Sequence, residues 1–159
     1  MAIYPYFEDI HEDVRKTAWG AAEEFKKTAA EADEKVDYSI VEKNLKRLGK
    51  LSLLGLCIPE KYGGQGLDVI SYVLAVEELA KTCASTVASY NGQSLTSFSI
   101  DYAGAEEQKM KYLPPLCADK IGAFALTEPM AESDADASEI RAALQGNTYI
   151  INGTKRSII

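Results

Sequence analysis

Along this chain the spacing of apolar residues changes once: it follows the helical period of about 3.6 up to Asp119 and a period of two afterwards. Residues 10–32 are rich in Ala, Glu and Lys and contain no Pro. Within them Val14, Ala18, Ala21, Ala22 and Phe25 recur at helical spacing, predicting one long amphipathic helix. Asp37 or Ser39 can cap a second helix, whose apolar face is Ile40, Leu45, Leu48 and Leu51, with Gly55 just past its end. Residues 59–68 combine Pro59 with Gly63, Gly64 and Gly66, which is loop chemistry, and Asp68 is placed to cap the next helix. In that helix Val69, Tyr72, Val73, Val76, Leu79, Ala80 and Cys83 form one continuous apolar stripe. Residues 86–103, with Ser85 as cap, are nearly all small or hydroxylic, as expected of a helix packed tightly between two others or closely approached by a ligand. Gly104 ends it. A short helix over 106–112 carries acids at its start and lysines toward its end, and Pro114-Pro115 is expected to stop it.

The period-two region predicts a strand over 121–126 that stops at Glu128-Pro129, because proline cannot continue a paired ladder. A loop rich in small and acidic residues follows over 130–138. Residues 140–145 and 148–151 flank Gly146-Asn147, a two-residue hairpin signal, and Asn152-Gly153 makes a second turn into residues 154–159. The expected fold is α+β and mostly α. A helical bundle over 1–120 leads into the first strands of a β-barrel-like domain over 121–159, which is expected to be truncated and to leave an apolar strand edge unpaired.

Composition narrows the function. At 47% hydrophobic and 26% charged residues the 159-residue chain belongs with soluble globular proteins. A formal charge of -7 repels phosphate backbones and anionic lipid, so neither nucleic acid nor a membrane is an expected partner. The N-terminus lacks the pattern of a secretory signal, making a cytoplasmic location the default. Cys57, Cys83 and Cys117 are odd in number and widely spaced, which suits reduced core thiols better than disulfides or a metal site. His11 is the only histidine, so neither a histidine metal site nor a nucleophile-histidine pair is expected.

The candidate chemistry lies where the first strand gives way to its loop. There the Thr127 hydroxyl, several peptide N–H groups and the Ser133 hydroxyl cluster, a set of donors suited to a ligand that is flat and electron-rich at one end and anionic at the other. Glu128 is expected to orient the turn, and the Gly63 to Gly66 segment lacks the Lys-Ser/Thr of a phosphate-cradling loop.

Phe124-Ala125-Leu126-Thr127-Glu128-Pro129, followed after three residues by Ser133-Asp134, resembles the flavin-contacting signature of the acyl-CoA dehydrogenase family. Three further segments are similar to family motifs in the same order: Ile58-Pro59-Glu60-Lys61-Tyr62-Gly63-Gly64-Gln65-Gly66-Leu67-Asp68, Glu106-Glu107-Gln108-Lys109-Met110-Lys111-Tyr112-Leu113-Pro114 and Tyr149-Ile150-Ile151-Asn152-Gly153-Thr154-Lys155. The resemblance implies α,β-dehydrogenation of an acyl-CoA thioester to a trans-2-enoyl-CoA, with FAD as hydride acceptor. It implies that Phe124, Ala125, Leu126 and Thr127 contact the flavin through main-chain groups and the Thr hydroxyl. It places Ser133 near the pyrophosphate and the pantetheine arm of the substrate. It also implies an electron-transfer flavoprotein as acceptor, and the unpaired apolar strand edge is expected to make the chain self-associate as a homo-oligomer. No residue here matches the family's catalytic base. Glu132 stands where the family has Gly, Ser157 where it has an aromatic packed on the flavin, and Ile159 where it has a Thr bonded to it. Two readings follow: the flavin- and substrate-facing front portion of such a dehydrogenase, inactive unless completed, or a remnant without catalysis that acts as a binding or assembly module.

Overall fold

The computed structural model describes residues 6–131 and 134–159. Among these, the chain divides into two compact units, Met1–Gly122 and Ala123–Ile159.

The first unit is helical. Its elements are α1 (Asp9–Phe25), α2 (Ala29–Lys35), α3 (Tyr38–Lys50), α4 (Val69–Ala80), α5 (Ala84–Ala103) and α6 (Glu106–Ala118). The long helix expected over residues 10–32 is two helices. The Thr28 N–H bonds back to Phe25 O at 3.0 Å, closing a tight turn after α1, and α2 then turns Ala32 inward. An Ala, Glu and Lys composition favours helix on both sides of this turn and cannot locate it.

Asp37 caps α3 by accepting the Ser39 N–H at 2.9 Å, and Asp68 caps α4 by accepting the Ser71 N–H at 2.9 Å, as their sequence positions predict. Helices α1 and α4 pack together, and Ala18, Ala21 and Ala22 of α1 share the main core with Ala75 of α4. Leu45, Leu48, Leu53, Leu79 and Tyr90 complete the main core. Between α3 and α4, residues 55–67 fold back on themselves: the Gln65 N–H donates to Gly55 O at 2.9 Å and the Leu67 N–H to Leu56 O at 2.8 Å. A Cβ on Gly64 would lie 1.9 Å from Ile58 O, so this segment is a tight structural loop.

Two further expectations fail in this unit. The buried face of α4 is Ser71, Leu74, Ala75, Glu78 and Leu79, whereas Val69 is 66% exposed and Val73 also faces solvent. The helix is apolar almost all round, so hydropathy cannot choose the face. Its buried polar members are satisfied locally, Ser71 by Asp68 and Glu78 by Lys81 at 2.7 Å. Secondly, α6 runs through Pro114 and Pro115 to Ala118, because Leu113, Leu116 and Cys117 are buried on its last turns. As expected of its small residues, α5 packs among α3, α4 and α6, burying Thr86, Gly92, Gln93, Ser94 and Ser97.

The second unit holds one antiparallel hairpin, β1 (Arg141–Gln145) with β2 (Thr148–Asn152). Register runs from Arg141 opposite Asn152 to Gln145 opposite Thr148, closed by Gly146-Asn147 with Gly146 at φ 62°. Residues 121–126 do not form the expected regular strand. Phe124 exchanges hydrogen bonds with Ile159 (2.6 and 3.4 Å), the antiparallel pattern. The next ladder step is displaced, with the Arg156 N–H donating to Thr127 O at 2.9 Å. Ser157 between them has φ 51°, a left-handed conformation that breaks the ladder and leaves the segment paired only at its ends.

Candidate functional site

Phe124–Thr127 is held in place from its far side. Lys155 Nζ donates to Leu126 O at 2.7 Å and to Glu128 Oε1 at 2.7 Å. Glu128 is only 4% exposed, and its carboxylate also accepts the N–H groups of Glu139 at 2.7 Å and Ile140 at 3.3 Å. The Ala131 N–H closes a turn onto Glu128 O at 3.2 Å across Pro129-Met130. Glu128 thus ties together the end of the extended segment, the far end of the loop and residue 155.

The Lys155 ammonium, then the Glu139 and Ile140 N–H groups, hold the Glu128 carboxyl below the usual carboxylate range, against the opposing effect of burial. A carboxylate stabilised in its ionised form by three donors is a poor proton acceptor. The expectation that Glu128 orients the turn therefore agrees with its geometry. A cavity of about 390 Å³ beside it is lined by Pro129, Met130, Asn152 and Thr154 among others.

What remains unengaged is informative. Among the described residues the N–H groups of Leu126 and Thr127 and the Thr127 hydroxyl have no hydrogen-bond partner. Leu126 is 46% exposed and Thr127 half-buried. One turn of chain thus presents two peptide donors and a hydroxyl, fixed by the Lys155 and Arg156 bonds behind them, next to an open apolar side chain. These donors and that apolar surface could receive a ligand with an electron-rich edge and a flat face. Ser133, and Glu132 beside it, lie outside the described residues. Ser157 and Ile159 are brought opposite Phe124–Thr127 by the end-on pairing, with Ile159 engaged through its backbone.

Sequence reasoning assigned no role to Lys155. In the sequence it stands out only as the last residue of the Tyr149 to Lys155 motif, two residues past the Asn152-Gly153 turn. His11, read as part of a charged segment, is 4% exposed. Its Nδ1 accepts the Glu8 N–H at 2.9 Å, so Nε2 carries the proton and donates to Asp68 at 3.0 Å. Burial raises the Cys57 and Cys117 thiols to about 11, with the Asp68 charge adding to the effect at Cys57. No three His, Cys, Asp or Glu side chains among the described residues converge as metal ligands, and no described helix is long and apolar enough to cross a membrane.

Residues 8–120 match the family model described as acyl-CoA dehydrogenase, N-terminal domain. The chain belongs to the acyl-CoA dehydrogenase family. It is 44% identical over 137 residues to the short-chain specific acyl-CoA dehydrogenase of Clostridium acetobutylicum, a match covering 85% of this chain and 36% of that protein. Its fold is similar to an acyl-CoA dehydrogenase complexed with FAD from Bacillus anthracis, at TM-score 0.88 and 34% identity, over 96% of this chain and 27% of that one. A chain from the electron transferring flavoprotein structure of Acidaminococcus fermentans superimposes at TM-score 0.91 with 38% identity, over 98% of this chain and 41% of the other. The chain therefore spans well under half the length of these relatives and neighbours. Its α+β, mostly helical architecture is that of the family's N-terminal domain followed by a short β segment.

Proposed function

We propose that this chain forms the flavin- and substrate-facing portion of an acyl-CoA dehydrogenase acting on acyl-CoA thioesters to give trans-2-enoyl-CoA. The observation that carries this reading is the pair of peptide N–H groups and the hydroxyl at Leu126–Thr127, which have no partner among the described residues and stand at an exposed edge inside the segment that resembles the family's flavin-contacting signature. FAD, when bound, supplies acceptance of the substrate's β-hydride. The chain's own part is to hold and polarise. Leu126 and Thr127 bind the ring edge through their main-chain N–H groups and the Thr127 hydroxyl, with Ala125 and Phe124 contacting it beside them and Phe124 held by its backbone bonds to Ile159, and donors already oriented before charge develops stabilise it most. Lys155 and Glu128 fix that backbone, and Ser133 contacts the pyrophosphate and the pantetheine arm. Glu128 moves no proton, and no residue in this sequence takes the role of the base. An electron-transfer flavoprotein as acceptor and a homo-oligomeric state belong to the same reading.

The second reading, a binding or assembly module without catalysis, is favoured by Ser157, which stands at φ 51° where the family places an aromatic against the flavin. Purified chain distinguishes the two. A flavin absorption band, or saturable uptake of added FAD, is the expected result. A colourless preparation that takes up no FAD overturns the first reading in favour of the second.

A further inference from the structure

Gln93 lies on α5 with no surface exposed. All of its side-chain amide is spent on backbone leaving α6. Nε2 donates to Leu116 O at 2.7 Å and Lys120 O at 3.2 Å, and Oε1 accepts the Gly122 N–H at 2.5 Å. Two donors and one acceptor in a single plane are what an uncharged amide offers, so the three bonds fix its orientation. A separate observation concerns the same point in the chain. A Cβ on Gly122 would lie 2.7 Å from Thr96 Cγ2, so the backbone there is pressed against α5.

Neither feature is needed to end the helix. The Asp119 and Lys120 N–H groups already bond Pro115 O at 3.0 and 2.9 Å, closing the last turn. What Gln93 adds is a fixed backbone at Gly122, two residues before Phe124. Peptide donors recognise a ring edge only when held within about half an ångström of their working position, so the chain entering Phe124–Thr127 has to be held as well. We propose that Gln93, supported by the close packing of Gly122 on Thr96, is a positioning residue for the flavin-contacting segment. The inference rests on the flavin reading above.

The test is a fluorescence titration of the full chain with FAD, comparing wild type with Gln93→Met, which keeps the volume and removes all three bonds. Trypsin cleavage after Lys120, whose carbonyl Gln93 holds, is followed in parallel. The expected result is FAD binding weakened about tenfold or more, equivalent to about 1.4 kcal/mol, with an unchanged helical circular dichroism signal and faster cleavage after Lys120. Gly122→Ala, which displaces the same backbone without burying an unpaired group, is expected to weaken binding in the same direction and covers the case in which Gln93→Met does not fold. Equal FAD affinity in wild type and a folded variant overturns the positioning role and leaves the flavin reading intact. Failure of the wild type itself to bind FAD overturns the flavin reading instead.

Discussion

Asp68 does three jobs with one side chain. It accepts the Ser71 N–H at 2.9 Å as the cap of α4, accepts the Ser71 hydroxyl at 3.0 Å, and receives His11 Nε2–H at 3.0 Å from α1. The Ser71 N–H, and after it His11, lower the Asp68 carboxyl below its ordinary value, with partial burial opposing them. A carboxyl whose folded-state value lies below its unfolded value stabilises the fold at pH above the unfolded value, about 4, and that contribution disappears as pH falls through the folded one. The thermal midpoint should therefore fall on acidification below about pH 4, and Asp68→Asn should flatten that part of the profile while lowering the midpoint at pH 7. Asp68→Ala should cost about 1 kcal/mol through the lost cap alone, measured by urea unfolding at pH 7. A wild type and Asp68→Asn with parallel profiles below pH 4 would remove Asp68 from the account. The capping role was readable because Asp before an apolar run is a local signal. The His11 contact was not, since the two residues are 57 apart and nothing in either local sequence points to the other.

The same division between local and tertiary information separates the elements that followed their sequence from those that did not. The β1–β2 hairpin fell where Gly146-Asn147 put it, because a two-residue turn fixes its own register. The end of α6 and the buried face of α4 did not, because both are decided by what packs on them. Two prolines remove hydrogen bonds from the middle of α6, and burial of Leu113, Leu116 and Cys117 offsets that loss. If so, α6 beyond Tyr112 depends on those side chains more than on its own backbone. Leu113→Ala is expected to destabilise the helical unit by about 2–5 kcal/mol in urea unfolding, whereas Tyr112→Ala, at an exposed position, should cost less than about 1 kcal/mol. Similar costs for the two would mean that the last turns are held by something other than this packing. At the candidate site the turn at Pro129 was legible for a local reason. The broken ladder opposite it was not, because serine carries no sequence signal for a left-handed conformation such as that of Ser157.

At the scale of the whole chain, the two units differ in how they are held. The helical unit buries a continuous core from Val14 to Tyr90 with a second cluster around Tyr62 and Leu113. In the second unit Glu128 and Ala131 are the only described residues that are buried, and both faces of the β1–β2 hairpin are exposed. A unit of under about 40 residues with no cysteine and so little buried among its described residues supplies little stability of its own. What orders it is a set of polar ties: Glu128 to Lys155, Glu139 and Ile140, and Phe124 to Ile159. Such ties open locally at low free energy. In hydrogen exchange, amides of α3, α4 and α5 should be protected to near the global unfolding limit, while those of β1, β2 and the 124–127 segment exchange orders of magnitude faster. A ligand that binds only the ordered form raises protection by RT ln(1 + [L]/Kd), about 2.7 kcal/mol at a hundredfold excess over Kd. Added FAD should therefore slow exchange at Leu126 and Thr127, whose N–H groups have no partner among the described residues, and leave α3 unchanged. Uniform slowing across both units would place the ligand elsewhere, and protection of the second unit equal to that of the helices before FAD is added would contradict the weakness of its polar ties.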